Sequence, residues 1–104
     1  MIYDVYFEVV SKLGFKIRTT KHQWDLITLV KHPIIYGLER EVMDCLRHPA
    51  EVRLSQESNH VYLYYKRWTK YWLCVVARHM DSEGFIITIY VTDKIKEGSI
   101  VWKS

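Results

Sequence analysis

Residues 61–79 read VYLYYKRWTKYWLCVVARH, and this stretch decides the fold. Its aromatic and β-branched residues alternate as in two strands, which meet in a tight turn between Trp68 and Tyr71. The stretch contains no Asp or Glu, and its four cations exceed the formal net charge of +3 of the whole chain: Lys66, Arg67, Lys70 and Arg78. The pattern predicts a β-hairpin that presents aromatic rings among unopposed positive charges.

Such a surface favours RNA as a partner. Cations can hold a phosphate backbone, and flat rings can stack on bases. The alternative interpretation is an ordinary small sheet, whose rings are core or edge residues and whose cations form a solvated rim. Tyr and Trp also suit half-buried strands, so composition alone leaves both interpretations open.

The residues before this hairpin predict a second hairpin and a helix pair. Ile2–Val10 and Phe15–Arg18 have the composition of strands. Leu38–Arg47 predicts a helix that ends before Pro49, and its apolar residues recur at helical spacing. The residues of that apolar stripe are Leu38, Val42, Cys45 and Leu46.

A capping signal marks the first helix of the pair. Thr20 and Gln23 have the spacing of a capping box, so we expect a helix from there to about Lys31. Pro33 stops this helix, because the residue before a proline avoids helical geometry. The expected buried stripe consists of Trp24, Ile27 and Val30.

After Pro49 the apolar residues alternate with a period of two. The expected strands are Glu51–Ser55, Val61–Trp68, Tyr71–His79 and Phe85–Thr92, with a short edge strand at Ile100–Trp102. The chain is therefore expected to form one domain, residues 1–104, of the α+β class. An N-terminal β-hairpin and two helices should pack on a curled antiparallel sheet of about four strands, leaving its other face open for function.

The strand Phe85–Thr92 shows the sharpest alternation. One face is expected to be apolar, formed by Phe85, Ile87, Ile89 and Val91. The other face is expected to carry hydroxyls beside Ile86, from Thr88, Tyr90 and Thr92. A solvent-facing strand of good β formers explains this pattern, and so does a floor of hydroxyls beneath a phosphate.

Composition indicates the cellular compartment of the protein and whether it needs a cofactor. The two cysteines, Cys45 and Cys74, lie in apolar patterns, so no disulfide framework is implied and a reducing cytoplasm is expected. No apolar run approaches the ~20 residues of a membrane span, and an acid at Asp4 argues against a signal peptide. The five histidines have no metal-ligand spacing, and we expect neither a metal nor another cofactor.

The remaining inventory indicates one kind of chemistry. The chain has no phosphate-binding glycine loop, no nucleophile elbow and no paired carboxylates at a useful spacing. Acid–base chemistry must then come from His, Lys, Arg and Tyr. A metal-independent ribonuclease needs that set, because one group takes the 2′-hydroxyl proton, one protonates the leaving oxygen and cations stabilise the phosphorane.

An ordered set of motifs resembles a nuclease superfamily. Trp24-x5-Val30-Lys-His-Pro33, then Glu51–Ser55, then Tyr64-Tyr-Lys66 and then Phe85-Ile-Ile-Thr-Ile-Tyr-x-Thr92 are similar to the barnase–EndoU–colicin–RelE group, in its small phage- and toxin-associated branch. The similarity runs from about Arg18 to Trp102. It implies a metal-independent RNA endonuclease that acts as the toxin of a toxin–antitoxin pair.

The resemblance also implies roles for individual residues. His32 becomes the general acid or base, held at a rigid helix end by Pro33, whereas the similar His48-Pro49 is expected to be structural. Arg78 is the expected clamp on the phosphorane, because a guanidinium fork matches phosphate geometry. The remaining roles are hydrogen bonds to the scissile phosphate or sugar from Thr88 and Tyr90, contacts to flanking phosphates from Lys66, Arg67 and Lys70, and base stacking on Tyr65 or Trp72.

Two other functions remain open at this stage. The first is a non-catalytic RNA- or ribosome-binding module that uses the same basic aromatic sheet. The second is a small protein–protein adaptor, because exposed Tyr and Trp also make interaction hot spots. For the nuclease, the expected partners are RNA, such as ribosome-associated messenger RNA or transfer RNA, and a small acidic antitoxin, with no membrane.

Overall fold

The computed structural model describes residues 4–95 and 97–104. Its strands are β1 (Val5–Val10), β2 (Lys16–Thr20), β3 (Glu51–Leu54), β4 (Val61–Trp68), β5 (Tyr71–Met80), β6 (Glu83–Thr92) and β7 (Ser99–Lys103). Its α-helices are α1 (Lys21–Asp25) and α2 (Glu39–Arg47), with a π-helical turn (Leu26–Lys31) and a 3-10 turn (Pro33–Ile35) between them. Residues 2 and 3 of the first expected strand lie outside the described part of the chain.

The α+β class is confirmed, and the sheet is larger than expected. Across residues 4–95 and 97–104, seven strands form one sheet in the order β1-β2-β6-β5-β4-β3-β7. The expected count of about four is too low, because the N-terminal hairpin joins the sheet when β2 pairs in parallel with β6, while β7 pairs with β3. The other neighbouring strands pair antiparallel.

The two faces of the sheet differ. The helices cover one face, which we call the helix-covered face, and the main core lies between the two layers. Its fully buried members include Ile17, Trp24, Ile27, Val42, Leu46, Tyr64, Val75 and Ile89. We call the opposite face the open face. Its buried cluster among the described residues is small and consists of Leu63, Tyr65, Cys74 and Val76. In the described part of the chain, no helix is long and apolar enough to cross a membrane.

The first helix begins as expected and ends differently. The hydroxyl of Thr20 accepts a 3.0 Å hydrogen bond from the Gln23 amide, which confirms the cap. After Asp25 the backbone widens into the π-helical turn, and the His32 amide reaches back five residues to the Ile27 carbonyl at 2.7 Å. The wider turn shifts the helix phase, so the expectation that Val30 is buried is wrong: its side chain is 68% exposed.

The expected faces of β6 are wrong for part of the strand, because the strand contains a β-bulge. Its pairing with β5 shifts between Val76 and Ala77, where Thr88 opposes Val76 and Ile86 opposes Ala77. Ile87 is therefore an extra residue, and the strand on either side of it has opposite parity. Phe85 and Ile87 lie on the open face, not with Ile89 and Val91, while Ile86 enters the main core.

Candidate functional site

Four rows of side chains cross the open face. Antiparallel pairing places a residue of β4 beside one of β5, and that one beside a residue of β6. From one end to the other, the rows are Arg67–Trp72–Thr92, Tyr65–Cys74–Tyr90, Leu63–Val76–Thr88 and Val61–Arg78–Phe85. The period of two brings Thr88, Tyr90 and Arg78 to one face, as expected from the sequence.

His32 lies at the edge of this face, beside Tyr90. The two ring centroids are 6.3 Å apart with planes inclined at 46°. The segment stays there because the Gln23 side chain donates a 2.7 Å hydrogen bond to the Ile87 carbonyl, on the part of β6 beyond its pairing with β2. Pro33 then turns the chain away, and the imidazole remains half-buried next to the tyrosine.

Burial keeps the tyrosines of the second row protonated. It raises the pKa of Tyr90 far above the ordinary value, and the neighbouring Cys74 and Tyr65 raise it further. Burial also raises the pKa of Tyr65 above 10.0 and that of the Cys74 thiol to about 12. These groups therefore donate hydrogen bonds at neutral pH and do not serve as bases.

Thr88 has an unused hydroxyl. Its Oγ1 is buried, and it has no hydrogen-bond partner among the described residues. The residue lies two positions from Tyr90 on the same strand, so the two Cα atoms are separated by roughly 7 Å. A buried polar atom without a partner costs free energy, which suits a group that a ligand oxygen completes.

Arg78 shares the open face but lies farther from Tyr90. It pairs with Phe85, whereas Tyr90 pairs with Cys74, four residues earlier on β5. Four residues of an extended strand span about 13 Å, so the guanidinium has to reach along the sheet toward Thr88. Among the described residues, the Arg78 side chain forms neither a salt bridge nor a hydrogen bond, which leaves it available to an anion.

The first row provides one stacking platform. The guanidinium carbon of Arg67 lies 4.9 Å from the ring centroid of Trp72, in a cation–π arrangement. Tyr65 is only 1% exposed, so the expected stacking role cannot be carried by its ring in this conformation and falls to Trp72. Arg67 and Trp72 combine a positive charge with a flat ring, the pair that single-stranded nucleic acid favours.

Two expected phosphate contacts lie elsewhere. Lys66 is on the helix-covered face, where its Nζ donates to the His48 carbonyl at 2.8 Å and lies 3.4 Å from the Asp44 carboxylate. Neighbouring residues on a strand point to opposite faces, so Lys66 and Arg67 cannot share one ligand face. Lys70 occupies the turn, with its Nζ 5.6 Å from the Tyr71 ring centroid.

A carboxylate from a loop also reaches Tyr90, and no motif in the sequence indicates it. The segment after β6 returns over the open face, and the Tyr90 hydroxyl donates to Glu97 Oε2 at 3.5 Å. Glu97 and Lys94 line a pocket of about 270 Å³ together with Tyr65, Tyr90 and Thr92. Both residues lie in a loop, where strand periodicity gives no signal.

The remaining histidines and cysteines make no metal centre in the described part of the chain. No group of three His, Cys, Asp or Glu side chains converges there. Cys45 and Cys74 are buried free thiols. The second His-Pro pair differs from the first, because His48 is exposed at the end of α2 and its carbonyl accepts the bond from Lys66.

Comparisons with known family models, curated proteins and solved structures find no match to this chain. Membership of the nuclease superfamily therefore stays a prediction from the motifs in the sequence.

Proposed function

We propose that the protein is a metal-independent RNA endonuclease of the cytoplasm and the toxin of a toxin–antitoxin pair. Its site is the second and third rows of the open face together with His32. The observation that carries the proposal is the His32–Tyr90 pair, 6.3 Å between ring centroids, beside the unpartnered Thr88 hydroxyl. The His32 imidazole and the hydroxyls of Tyr90 and Thr88 are neighbours there, and the Arg78 guanidinium lies in the adjacent row.

The proposed reaction begins with the 2′-hydroxyl of RNA. A base takes its proton, the oxygen attacks the adjacent phosphorus, and the 5′-oxygen leaves with a proton from an acid. The products are a 2′,3′-cyclic phosphate and a free 5′-hydroxyl. His32 performs one of the two proton transfers, because imidazole is the side chain that most often moves protons in catalysis and this one lies beside Tyr90.

The other residues stabilise charge on the phosphorane. Tyr90 remains protonated and redirects its weak 3.5 Å hydrogen bond from Glu97 to a non-bridging oxygen, and Thr88 donates through its unpartnered hydroxyl. Arg78 supplies the cation from the next row. Donors fixed before reaction are effective because they need no reorganisation as negative charge develops.

A chelation experiment tests the activity. Purified protein is incubated with total RNA in excess EDTA, and the new ends are characterised. We expect cleavage to persist and to leave 2′,3′-cyclic phosphates. Complete loss of cleavage on chelation, with recovery on adding metal, contradicts the mechanism.

An exposed apolar segment supports a protein partner at the same site. Four large side chains that flank His32 in sequence are each more than half exposed: Leu29, Val30, Ile34 and Tyr36. Residues 26–38 contain no acid, while Lys31 adds a positive charge. An acidic, amphipathic antitoxin segment matches this surface in both respects and would cover the cleft at His32 and Thr88.

A non-catalytic RNA-binding module is the second candidate. The observation that favours it is the ~13 Å of strand between the rows of Arg78 and Tyr90, which separates the cation from the imidazole. Tight, salt-sensitive RNA binding without cleavage, by protein whose fold is intact, would select this candidate. The adaptor function is favoured by the apolar segment at residues 29–36 and predicts a protein partner without RNA binding.

A further inference from the structure

A large groove opens where two parallel strands separate. The pairing of β2 with β6 lasts for three residue pairs and ends at Arg18 and Phe85. Beyond that point β2 turns into α1, while β6 continues toward Tyr90. The Gln23 side chain crosses this gap to donate to the Ile87 carbonyl, and the groove has a volume of about 940 Å³.

The lining of the groove combines an apolar floor with a polar rim. Val5, Leu26 and the β6 segment from Phe85 to Ile87 supply the floor. Arg18, Gln23 and Lys31 supply polar and cationic atoms at the rim. Arg18 donates to Glu83 at 2.8 Å, so its charge is partly balanced, whereas Lys31 forms no ion pair among the described residues.

Phe85 is the exposed ring in this groove. Its side chain is 42% exposed although it lies within the sheet, because the bulge at Ile87 turns it to the open face. It makes no close ring or cation–π contact within the described part of the chain. An exposed, uncovered phenyl face is available for stacking.

The groove is continuous with the proposed catalytic site. Lys31 precedes His32 in the chain, and Ile87 precedes Thr88. Phe85 also pairs with Arg78, so the ring and the guanidinium share one row. The Trp72 platform lies six residues from Arg78 on β5, roughly 20 Å away, so one stacking ring stands at each end of the site.

We infer that this groove binds a base of single-stranded RNA adjacent to the scissile phosphate, by stacking on Phe85, with Lys31 and Arg18 near its phosphate. This inference rests on the proposed function, since it places that base beside the reacting group. The volume is within the ~300–1,000 Å³ range of small-molecule pockets, enough for a nucleotide. Phe85 then selects substrates by holding one base, and it takes no part in proton transfer.

The test uses binding of RNA that cannot react. Short fluorescent 2′-O-methyl oligonucleotides lack the attacking hydroxyl, and a matched set has one abasic position moved along the strand. We expect Phe85→Ala to weaken binding of the intact strand about 5- to 150-fold, the range for loss of one stacked base. When the missing base is the one that stacks on Phe85, the wild-type protein and Phe85→Ala should bind the abasic oligonucleotide with equal affinity.

Three control measurements make the outcomes distinct. Phe85→Leu keeps an apolar side chain without the ring and should resemble Phe85→Ala. Tyr36→Ala removes an exposed ring that does not line the groove and should not reproduce the position-specific loss. Thermal melts verify that each variant is folded.

Equal binding by wild type and Phe85→Ala on every oligonucleotide would overturn the groove assignment and leave the cleavage proposal intact. Phe85-dependent binding without cleavage of unmodified RNA would reject the nuclease and keep the base site. Failure of the wild-type protein to bind any RNA would overturn both.

Discussion

The two faces of the sheet place residues of the same type in different environments. On the helix-covered face, His79 is stacked between Phe15 and Tyr62, with ring centroids at 3.8 and 4.0 Å, and is 4% exposed. On the open face, His32 is half-buried beside Tyr90 and reaches the surface. Both imidazoles pack against aromatic rings, yet only one can exchange protons with a bound ligand.

The difference shows that burial, more than residue type, decides whether a side chain stabilises the core or is available to a ligand. Burial lowers the pKa of His79 to about 4, so it is neutral at pH 7 and belongs to the core. Lys66 and Arg67 show the same difference. Lys66 is hydrogen-bonded to the end of α2, whereas Arg67 stacks on Trp72 on the open face. Changes on the open face should therefore alter activity, and those on the covered face should alter stability.

The largest expected effect is at His32. Its replacement by Ala should reduce RNA cleavage by ~10²–10⁴-fold, the usual contribution of positioned proton transfer, and should abolish toxicity on expression. The melting temperature should change little, because the imidazole is outside the main core. His48→Ala is the matched control and should leave cleavage unchanged. Detoxification by His48→Ala, with an active His32→Ala, would assign the chemistry to the other His-Pro pair.

Acid should destabilise the protein through His79. Its folded pKa of about 4 is below the ordinary 6.5, so the unfolded chain binds more protons between these values. The stabilisation that neutral His79 gives the fold is complete above pH 6.5. As the pH falls from 6.5 through 4 this stabilisation is lost, which lowers the free energy of unfolding by about 3 kcal/mol. The buried Nδ1 atom of His79 has no hydrogen-bond partner among the described residues, so nothing there would stabilise a proton added to the ring.

Urea unfolding from pH 7.5 to 4.5 measures this loss of stability. His79→Phe keeps an aromatic ring in the stack and should lose less stability over the same interval. Parallel curves for the variant and wild type would exclude His79 as the cause.

Salt dependence should separate the neighbours Lys66 and Arg67. Phosphate contacts from Arg67, Lys70 and Arg78 should contribute roughly −2 to the log–log slope on single-stranded RNA, at about −0.7 per contact, and Lys31 and Arg18 at the groove would make it steeper. Arg67→Ala should make the slope less negative by about 0.7, and Lys66→Ala should leave it unchanged. Affinities over a salt series provide the comparison. A flat wild-type slope would favour the adaptor function, and a Lys66 effect as large as that of Arg67 would contradict the division of faces.

The smallest expected effect concerns the turn that sets which residues reach each face. Thr69 has φ of 54°, a left-handed value that is unfavourable for a β-branched residue. Thr69→Asn should stabilise the protein by about 1 kcal/mol, or roughly 4–8 °C in Tm for a domain of this size. Lys70→Asn is the control, because residue 70 does not share that backbone conformation. Equal melting temperatures for Thr69→Asn and wild type would show that the turn stores no such strain.

Local patterns predicted the elements and missed what depends on distant partners. The alternation in β4 and β5 gave their pairing, and Thr20 marked the start of α1. The parallel pairing of β2 with β6 brings Arg18 beside Phe85, and the Arg18–Glu83 hydrogen bond at the same place joins residues 65 positions apart. No local pattern encodes this contact.

For the site as well, the sequence predicted what depends on local periodicity and missed what depends on tertiary contacts. A period of two brought Thr88, Tyr90 and Arg78 to one face, and it also separates Lys66 from Arg67, which had been expected to act together. The π-helical turn exposed Val30, and the bulge moved Phe85, because each adds a residue to a regular repeat. Glu97 reaches Tyr90 from a loop, which tertiary folding alone positions.

An NMR titration with a short 2′-O-methyl RNA tests the division of faces most directly. We expect little change along α2 or at His79, and shifts on the open face and its edge at His32, Arg67, Trp72, Phe85 and Thr88. The exchange of His32 ring protons should respond to RNA, whereas those of His79 should not. Shifts confined to α2 and the helix-covered face, with Thr88 and Trp72 unaffected, would contradict the proposed site.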